Sequence, residues 1–212
     1  MSLSIALSSL ERRSEALPPI QESVSLWREP VTRHPVFYKD ELAYSLHTLS
    51  FMLGDLGRHS DALPPIQEAV SLRRGLVAIH PVSYKADLAS SLLNLSSELS
   101  DLGRHSEALA AIQESIHIRR ELVAIHPASY SPDLANSLYV LSYILYILGR
   151  HTEALDAGQE SLSLYRPLFA DYPLVYGRNF RGILRIVAVI LDKLGRREEA
   201  SATRTEVDSL ST

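Results

Sequence analysis

One tetrapeptide sets the period of this sequence. Leu-Gly-Arg-His begins at Leu56, Leu102 and Leu148, and Leu-Gly-Arg-Arg begins at Leu194, so the same signal returns every 46 residues. The 46-residue blocks that start at Leu56 and Leu102 are identical at 28 positions. Self-similarity at a fixed period of this size is typical of one supersecondary unit that is copied and stacked. We therefore expect one continuous array over residues 1–212, with an extended surface instead of a single reactive pocket.

The pattern inside each copy predicts two α-helices. After Asp87, leucines recur at three- and four-residue steps as on one face of a helix, until Gly103. A glycine just past the last periodic residue is the expected left-handed cap of a helix. A second amphipathic stretch then runs to Pro127, and the short separation requires the two helices to be antiparallel. The prediction is an all-α superhelix of about five helical hairpins, at approximately 1–34, 35–80, 81–126, 127–172 and 173–212.

Polar residues and prolines predict where the helices begin and end. The second helix of a repeat is expected to start at an N-cap hydroxyl, and the prolines near its start predict a late or tightened beginning. A Ser-Pro-Asp segment at 131–133 is expected to open the hairpin that follows it. The predicted caps are Ser60, Ser106 and Thr152, the early prolines are Pro18, Pro19, Pro64 and Pro65, and the prolines that close second helices are Pro35, Pro81, Pro127 and Pro173.

Composition excludes several classes of partner. A net charge of −4 and a pI near 6.1 give no basic surface for nucleic acid. The chain has no cysteine, which fits a reducing compartment, so we expect it in the cytoplasm. Residues 1–16 lack the basic start of a signal peptide, and no run reaches 18 apolar residues, so no membrane association is expected.

The sequence predicts no catalysis, cofactor or metal. Glycine-rich phosphate loops, nucleophile elbows and His-Glu-x-x-His are all absent. The histidines recur at two repeat positions, so equivalent copies lie a whole repeat apart, too far to share one metal ion. We interpret them as packing or capping residues. They are His59, His105 and His151 at one position, and His34, His80 and His126 at the other.

A family resemblance rests on the spacing of large, small and glycine residues. Leu95, Ser96, Leu99, Gly103 and Ala108 occupy positions that tetratricopeptide repeats fill with the same residue types. The alanine has a mechanical role, because a bulky side chain there would separate helices that need close contact. With its His-Pro step and twelve extra residues per unit, the chain resembles the longer repeats of kinesin light chains and of related fungal and bacterial signalling arrays. Glu11, Gly158 and Arg204 depart from the consensus, and we expect the fourth and fifth units to be the less regular ones.

The resemblance implies a partner site. In such arrays the first helix of each hairpin lines a concave groove that binds a peptide or helix of another protein. The carboxylate clamp used for chaperone tails is not expected, since His47, Leu93 and Tyr139 stand at its positions. The implied groove residues are Tyr44, His47, Phe51, Asn94, Asn136, Tyr139, Tyr143, Tyr146 and Arg185.

Two questions stay open at this stage. The tyrosine stripe of the fourth unit either anchors a partner in the groove, with Tyr139 and Tyr143 foremost, or packs against a neighbouring repeat. The chain is either an interaction scaffold or a self-associating or ligand-sensing module of a larger, ATPase-type signalling protein. Self-association would use the short N-terminal hairpin, which begins with residues 2–10 and lacks a polar cap.

Overall fold

The structure is a computed structural model that describes residues 17–33 and 35–210. Nearly all of these residues lie in nine α-helices, and no helix within these ranges is both long and apolar enough to cross a bilayer. The all-α prediction is confirmed. The helices are α1 (Leu17–Arg33), α2 (Pro35–Asp55), α3 (His59–Ile79), α4 (Pro81–Asp101), α5 (His105–Ile125), α6 (Pro127–Ile147), α7 (His151–Asp171), α8 (Pro173–Lys193) and α9 (Arg197–Ser209).

Each predicted glycine cap is present at the end of a first helix. Gly57, Gly103, Gly149 and Gly195 have φ between 72° and 77°, a region that L-residues rarely adopt. The amide of Gly57 donates to the Gly54 carbonyl at 2.8 Å, and the next amide donates to the Leu53 carbonyl at 2.9 Å. These two bonds define a Schellman motif, which satisfies carbonyls that the helix end leaves open.

The second helices begin one residue before the predicted hydroxyl caps, so that prediction is wrong. The helices start at His59, His105 and His151, and the N-cap residues Arg58 and Arg150 make no side-chain cap hydrogen bond. The reason is the Schellman motif, which places the Arg58 carbonyl where the amides of Asp61 and Ala62 donate to it, at 3.0 and 2.9 Å. The first turn therefore forms without help from Ser60, Ser106 or Thr152.

The prolines also act differently from the prediction. Pro64 and Pro65 lie inside α3, and Pro132 lies inside α6, which begins five residues earlier at Pro127. A proline removes one backbone donor, but the carbonyl of Ser60 that would lose its partner belongs to an exposed residue where water can replace the amide. Pro81 and Pro127 occupy the first turn of the following helix, where the missing donor costs nothing.

The chain divides into two compact units, which end at Arg104 and at Thr212. In unit 1, α1 to α4 pack pairwise in chain order; in unit 2, α5 to α9 do the same. The first helices are also neighbours, because α2 contacts α4 within unit 1 and α6 contacts α8 within unit 2. The continuous array over 1–212 and its hairpin limits stay predictions, and Glu11 and the first helix of the N-terminal hairpin lie outside the described residues.

The small residues of the second helices lie where the helices approach most closely. Ala62, Ala108, Ala154 and Ala200 are fully buried, as predicted. Gly158 leaves no void, because a Cβ at this position would lie 2.7 Å from Cγ2 of Val187. The neighbours have therefore collapsed onto the glycine. The fourth repeat is not less regular in its helices, which are 21 residues long like those of the second and third repeats.

A pair of glycine substitutions separates backbone strain from packing. Replacing Gly149 with alanine forces a Cβ into the left-handed region, and we expect the free energy of unfolding to fall by about 1–2 kcal/mol. Nothing lies within 4 Å of the added Cβ, so the loss is purely conformational. The control Gly75→Ala, inside α3 with equally open space, should raise stability by about 0.5–1 kcal/mol. Urea unfolding measures both; equal effects would contradict the assignment.

Candidate partner-binding faces

We call the surface of α2 and α4 the first-helix face of unit 1, and that of α6 and α8 the first-helix face of unit 2. In unit 1 the predicted residues fall into two groups. Tyr44 and Phe51, two turns apart on α2, have 64% and 61% of their surface exposed. Asn94 of α4 is half-buried, and its amide nitrogen lies 3.4 Å from the Ser50 hydroxyl of α2. Asn94 thus joins the two helices, while the aromatic rings face solvent.

His47 also joins α2 to α4. Its Nδ1 lies 3.3 Å from the Ser91 hydroxyl, and burial, together with the nearby Arg73 charge, lowers the pKa of His47 to about 4. The imidazole is therefore neutral near pH 7. Because Arg73 donates to the same hydroxyl oxygen at 2.5 Å, Ser91 is free to donate its own proton to His47.

The predicted tyrosines of unit 2 have different environments. Tyr143 is 46% exposed, and Ile147 on the same helix and Val189 on α8 are also exposed apolar residues. Tyr139 is half-buried over α8, where its hydroxyl lies 3.1 Å from the position of a Cβ at Gly182, and burial raises its pKa. Tyr146 packs against His151 in a tilted arrangement, with ring centroids 5.5 Å apart. The three tyrosines of the predicted stripe therefore have different roles: Tyr139 and Tyr146 pack against neighbouring residues, whereas Tyr143 is exposed to solvent.

The two faces also differ in charge. On α8, Arg185 and Lys193 are exposed, and Asp192 is paired with Arg204 of α9. On α6 the predicted residue Asn136 is half-buried and neutral. The first helices of unit 1 have the opposite character, since their acidic residues outnumber Lys39 and Lys85. These acidic residues are Asp40, Glu41, Asp55, Asp87, Glu98 and Asp101.

Two buried arginines were missed by sequence reasoning. Arg73 and Arg119 are each 3% exposed, and burial lowers the pKa of both guanidinium groups. Each donates to a backbone carbonyl and a serine hydroxyl of the following first helix. The partners of Arg73 are the Asp87 carbonyl at 2.8 Å and the Ser91 hydroxyl, and those of Arg119 are the Asp133 carbonyl and the Ser137 hydroxyl at 2.8 Å.

The repeat period could have revealed this site. Counting 46 residues from each arginine gives Trp27 before them and Tyr165 after them, so one position reads Trp, Arg, Arg, Tyr along the chain. In the last copy, Asn179 donates to the Tyr165 hydroxyl at 3.0 Å, and Asn179 itself stands at the position of Asp87 and Asp133. A polar contact between adjacent helices is thus kept while the residues change.

Glu98 is a second buried charged residue of unit 1. Its side chain is 5% exposed and lies over Gly54, where an added Cβ would collide with the carboxylate. His59 Nδ1 donates to Glu98 at 2.9 Å and also approaches Asp101 at 3.6 Å. Burial, only partly opposed by the His59 hydrogen bond, raises the pKa of Glu98. Across residues 17–33 and 35–210, no group of three potential ligands is placed to hold a metal.

Paired helices joined by glycine turns, with small residues at the crossings, define a helical-repeat domain. The tetratricopeptide repeat model matches residues 42–81, 88–128 and 134–169, more than half of the chain. The chain belongs to the tetratricopeptide repeat family, as the resemblance predicted. No curated protein sequence matches it.

Solved structures share the fold. MamA is 15% identical with a TM-score of 0.61, covering 95% of this chain and 92% of that one. A Podosopora anserina protein assigned as a kinesin light chain with nearly identical TPR-like repeats is 16% identical with a TM-score of 0.61, covering 98% and 95%. BtubC (BKLC) from P. vanneervenii is 13% identical with a TM-score of 0.53, covering 95% and 91%. The predicted likeness to kinesin light chain repeats is confirmed at the level of the fold.

The raised pKa of Glu98 predicts a pH-dependent stability. The folded state favours the protonated form of the Glu98 carboxyl. The stability that depends on this protonated form is fully present below the pKa of the unfolded state, and it is lost as pH rises through the higher pKa of the folded state. Glu98→Gln keeps an acceptor for His59 without the charge, and the variant should gain stability over the parent as pH rises from 4 to 7. Urea unfolding across this range measures the difference; Glu22→Gln, at an exposed position on α1, is the control. A difference independent of pH would contradict the assignment.

Proposed function

We propose that this protein is an interaction scaffold that binds a peptide or helix of a protein partner on its first-helix faces. The observation that carries the proposal is the exposure of large side chains there. Tyr44 and Phe51 open to solvent in unit 1, and Tyr143 does so in unit 2. Tyrosine and phenylalanine give a large contact area at low entropic cost, and exposed apolar patches mark interaction sites.

The second helices support the proposal by contrast, because charged residues on their outer surface bind each other. Arg28 of α1 makes a two-point ion pair with Glu68 of α3, at 2.9 and 2.8 Å. Arg166 of α7 makes the same pair with Glu206 of α9. Such exposed pairs add little stability, but they satisfy the charges that a partner would otherwise engage.

Unit 2 favours a partner segment that combines an apolar anchor with acidic residues. Tyr143, Ile147 and Val189 supply the apolar part of its face. Arg185 and Lys193 are exposed on α8, and a cationic rim selects acidic partners and speeds their association. Tyr139, packed over Gly182, positions this face and is not expected to contact the partner with its full ring.

Catalysis and nucleic-acid binding are not part of this proposal, and the cytoplasm stays the predicted compartment on the absence of cysteine. The alternative, a self-associating or ligand-sensing module of a larger signalling protein, also stays a prediction. The contact predicted for self-association involves the short helix at residues 2–10, which lies outside the described residues.

The proposal is tested by selecting peptides from a display library against the full chain and measuring their dissociation constants by calorimetry. Tyr143→Ser should weaken peptides bound to unit 2 at least about 10-fold, because truncating an interface anchor costs about 1–2 kcal/mol or more. Phe51→Ser should do the same for peptides bound to unit 1. These exposed positions leave the core intact.

The matched control is Ile125→Ser. Ile125 is equally exposed but ends α5, a second helix, away from the first-helix faces. Its substitution should leave the dissociation constants unchanged. Peptides that bind both face variants as tightly as the parent, or that lose affinity only with Ile125→Ser, would place the interaction elsewhere and reject the proposal.

A further inference from the structure

Unit 1 contains a cavity of about 400 Å³ between α1 and α2, bordered by α3 and α4. Trp27 of α1 and Tyr44 of α2 supply aromatic walls. Asp40 and Glu41 of α2 and Asp87 of α4 supply three carboxylates, against the single guanidinium of Arg73. An aromatic wall combined with a surplus of carboxylates is a chemical environment that favours an organic cation.

In the second and third copies, an arginine of the chain itself stands at the position that Trp27 holds in the first copy. Trp27 stands one period before Arg73, which donates to the Asp87 carbonyl and the Ser91 hydroxyl. Arg119 makes the same two contacts in the third copy. In both, an arginine of the second helix is bound by the first helix that follows it.

The first copy keeps the serine and an acidic residue at the positions of Ser91 and Asp87 but lacks the arginine. Glu41 and Ser45 stand one period before Asp87 and Ser91, and both line the cavity. The Ser45 hydroxyl lies 2.9 Å from that of Ser23, so it retains a second lone pair for another donor. Trp27 is turned toward Tyr38, with stacked rings 5.7 Å apart, and its indole cannot bond both acceptors as a guanidinium does.

The charges around the cavity point the same way. Burial, and to a smaller extent the Asp87 and Glu41 carboxylates, raise the pKa of Asp40, and the Arg73 charge opposes this shift only in part. Arg73 itself is committed to the Asp87 carbonyl and to Ser91, while its buried Nε has no acceptor among the residues described. A ligand that brings a cation together with a carbonyl oxygen would satisfy both features.

We propose that this cavity binds the guanidinium group of an arginine residue in a partner polypeptide. The planar group stacks on Trp27, pairs with Asp40 and Glu41, and donates to the Ser45 hydroxyl. Arginine is preferred to lysine because only its fork of donors can engage two acceptors while its face lies on an aromatic ring. The source of the arginine rests on the proposed scaffold function, whereas the cavity can be tested without any peptide.

Trp27 is the only tryptophan of the chain and therefore reports on the cavity directly. The full chain is titrated with N-acetyl-arginine amide or N-acetyl-lysine amide at constant ionic strength, and tryptophan fluorescence is recorded. We expect a saturable change with the arginine compound, with a dissociation constant of about 1 mM, and at least about 10-fold weaker binding of the lysine compound. No saturable change, or equal responses to both compounds, would overturn the proposal.

Three variants locate the site. Glu41→Gln should weaken the arginine compound several-fold, while Asp101→Asn, which removes an exposed carboxylate outside the cavity, should not. Trp27→Arg restores the arginine of the later copies, so it should abolish binding in a calorimetric titration and raise the thermal unfolding temperature. Equal weakening by Glu41→Gln and Asp101→Asn would reduce the effect to general electrostatics and overturn the proposal. If Tyr143→Ser failed to weaken peptide binding, the proposed scaffold function of unit 2 would be rejected. The titration of the cavity in unit 1 would still test the arginine site independently.

Discussion

The fixed length of the repeat depends on the left-handed glycine turn. Gly57 and its three equivalents each end a first helix and lead directly into a second helix. A single residue, which is His80, His126 or Tyr172, then links the second helix to the next first helix. Two 21-residue helices, a three-residue turn and this single residue make up the 46-residue period. Because the glycine turn cannot lengthen without breaking its hydrogen bonds, residues 46 apart take equivalent places within a unit.

The sequence was sufficient for features that depend on a repeat alone. Alternating helices, the glycine turns and the buried position of Ala62 and its copies follow from periodicity and side-chain volume. The predicted helix starts were wrong because the first turn of α3 is closed by the backbone alone, with the Asp61 and Ala62 amides donating to the Arg58 carbonyl, and composition does not reveal where such a turn begins. Collapse around Gly158 was missed because it depends on Val187, a residue of the next helix.

The candidate site shows the same division. Periodicity placed Tyr44, Phe51 and Tyr143 on first helices, and they are exposed there. It could not distinguish Tyr143 from Tyr139, because the burial of Tyr139 depends on the missing side chain of Gly182 across the interface between α6 and α8. In a stacked fold, the exposure of a residue depends on the residue that faces it in the neighbouring repeat. The sequence of one repeat does not contain that information.

Differences between the copies distinguish residues that maintain the helix packing from residues that can vary without disturbing it. The blocks beginning at Leu56 and Leu102 differ at 18 positions, and seven of these lie in the last twelve residues of the first helices, at 90–101 and 136–147. Half of the eight changes in the second helices are conservative, such as valine to isoleucine. Those in the first helices exchange serine for tyrosine and aspartate for isoleucine. Since the glycine turn and the alanine contact already fix the stack, such exchanges alter the chemistry of a face while its backbone stays the same.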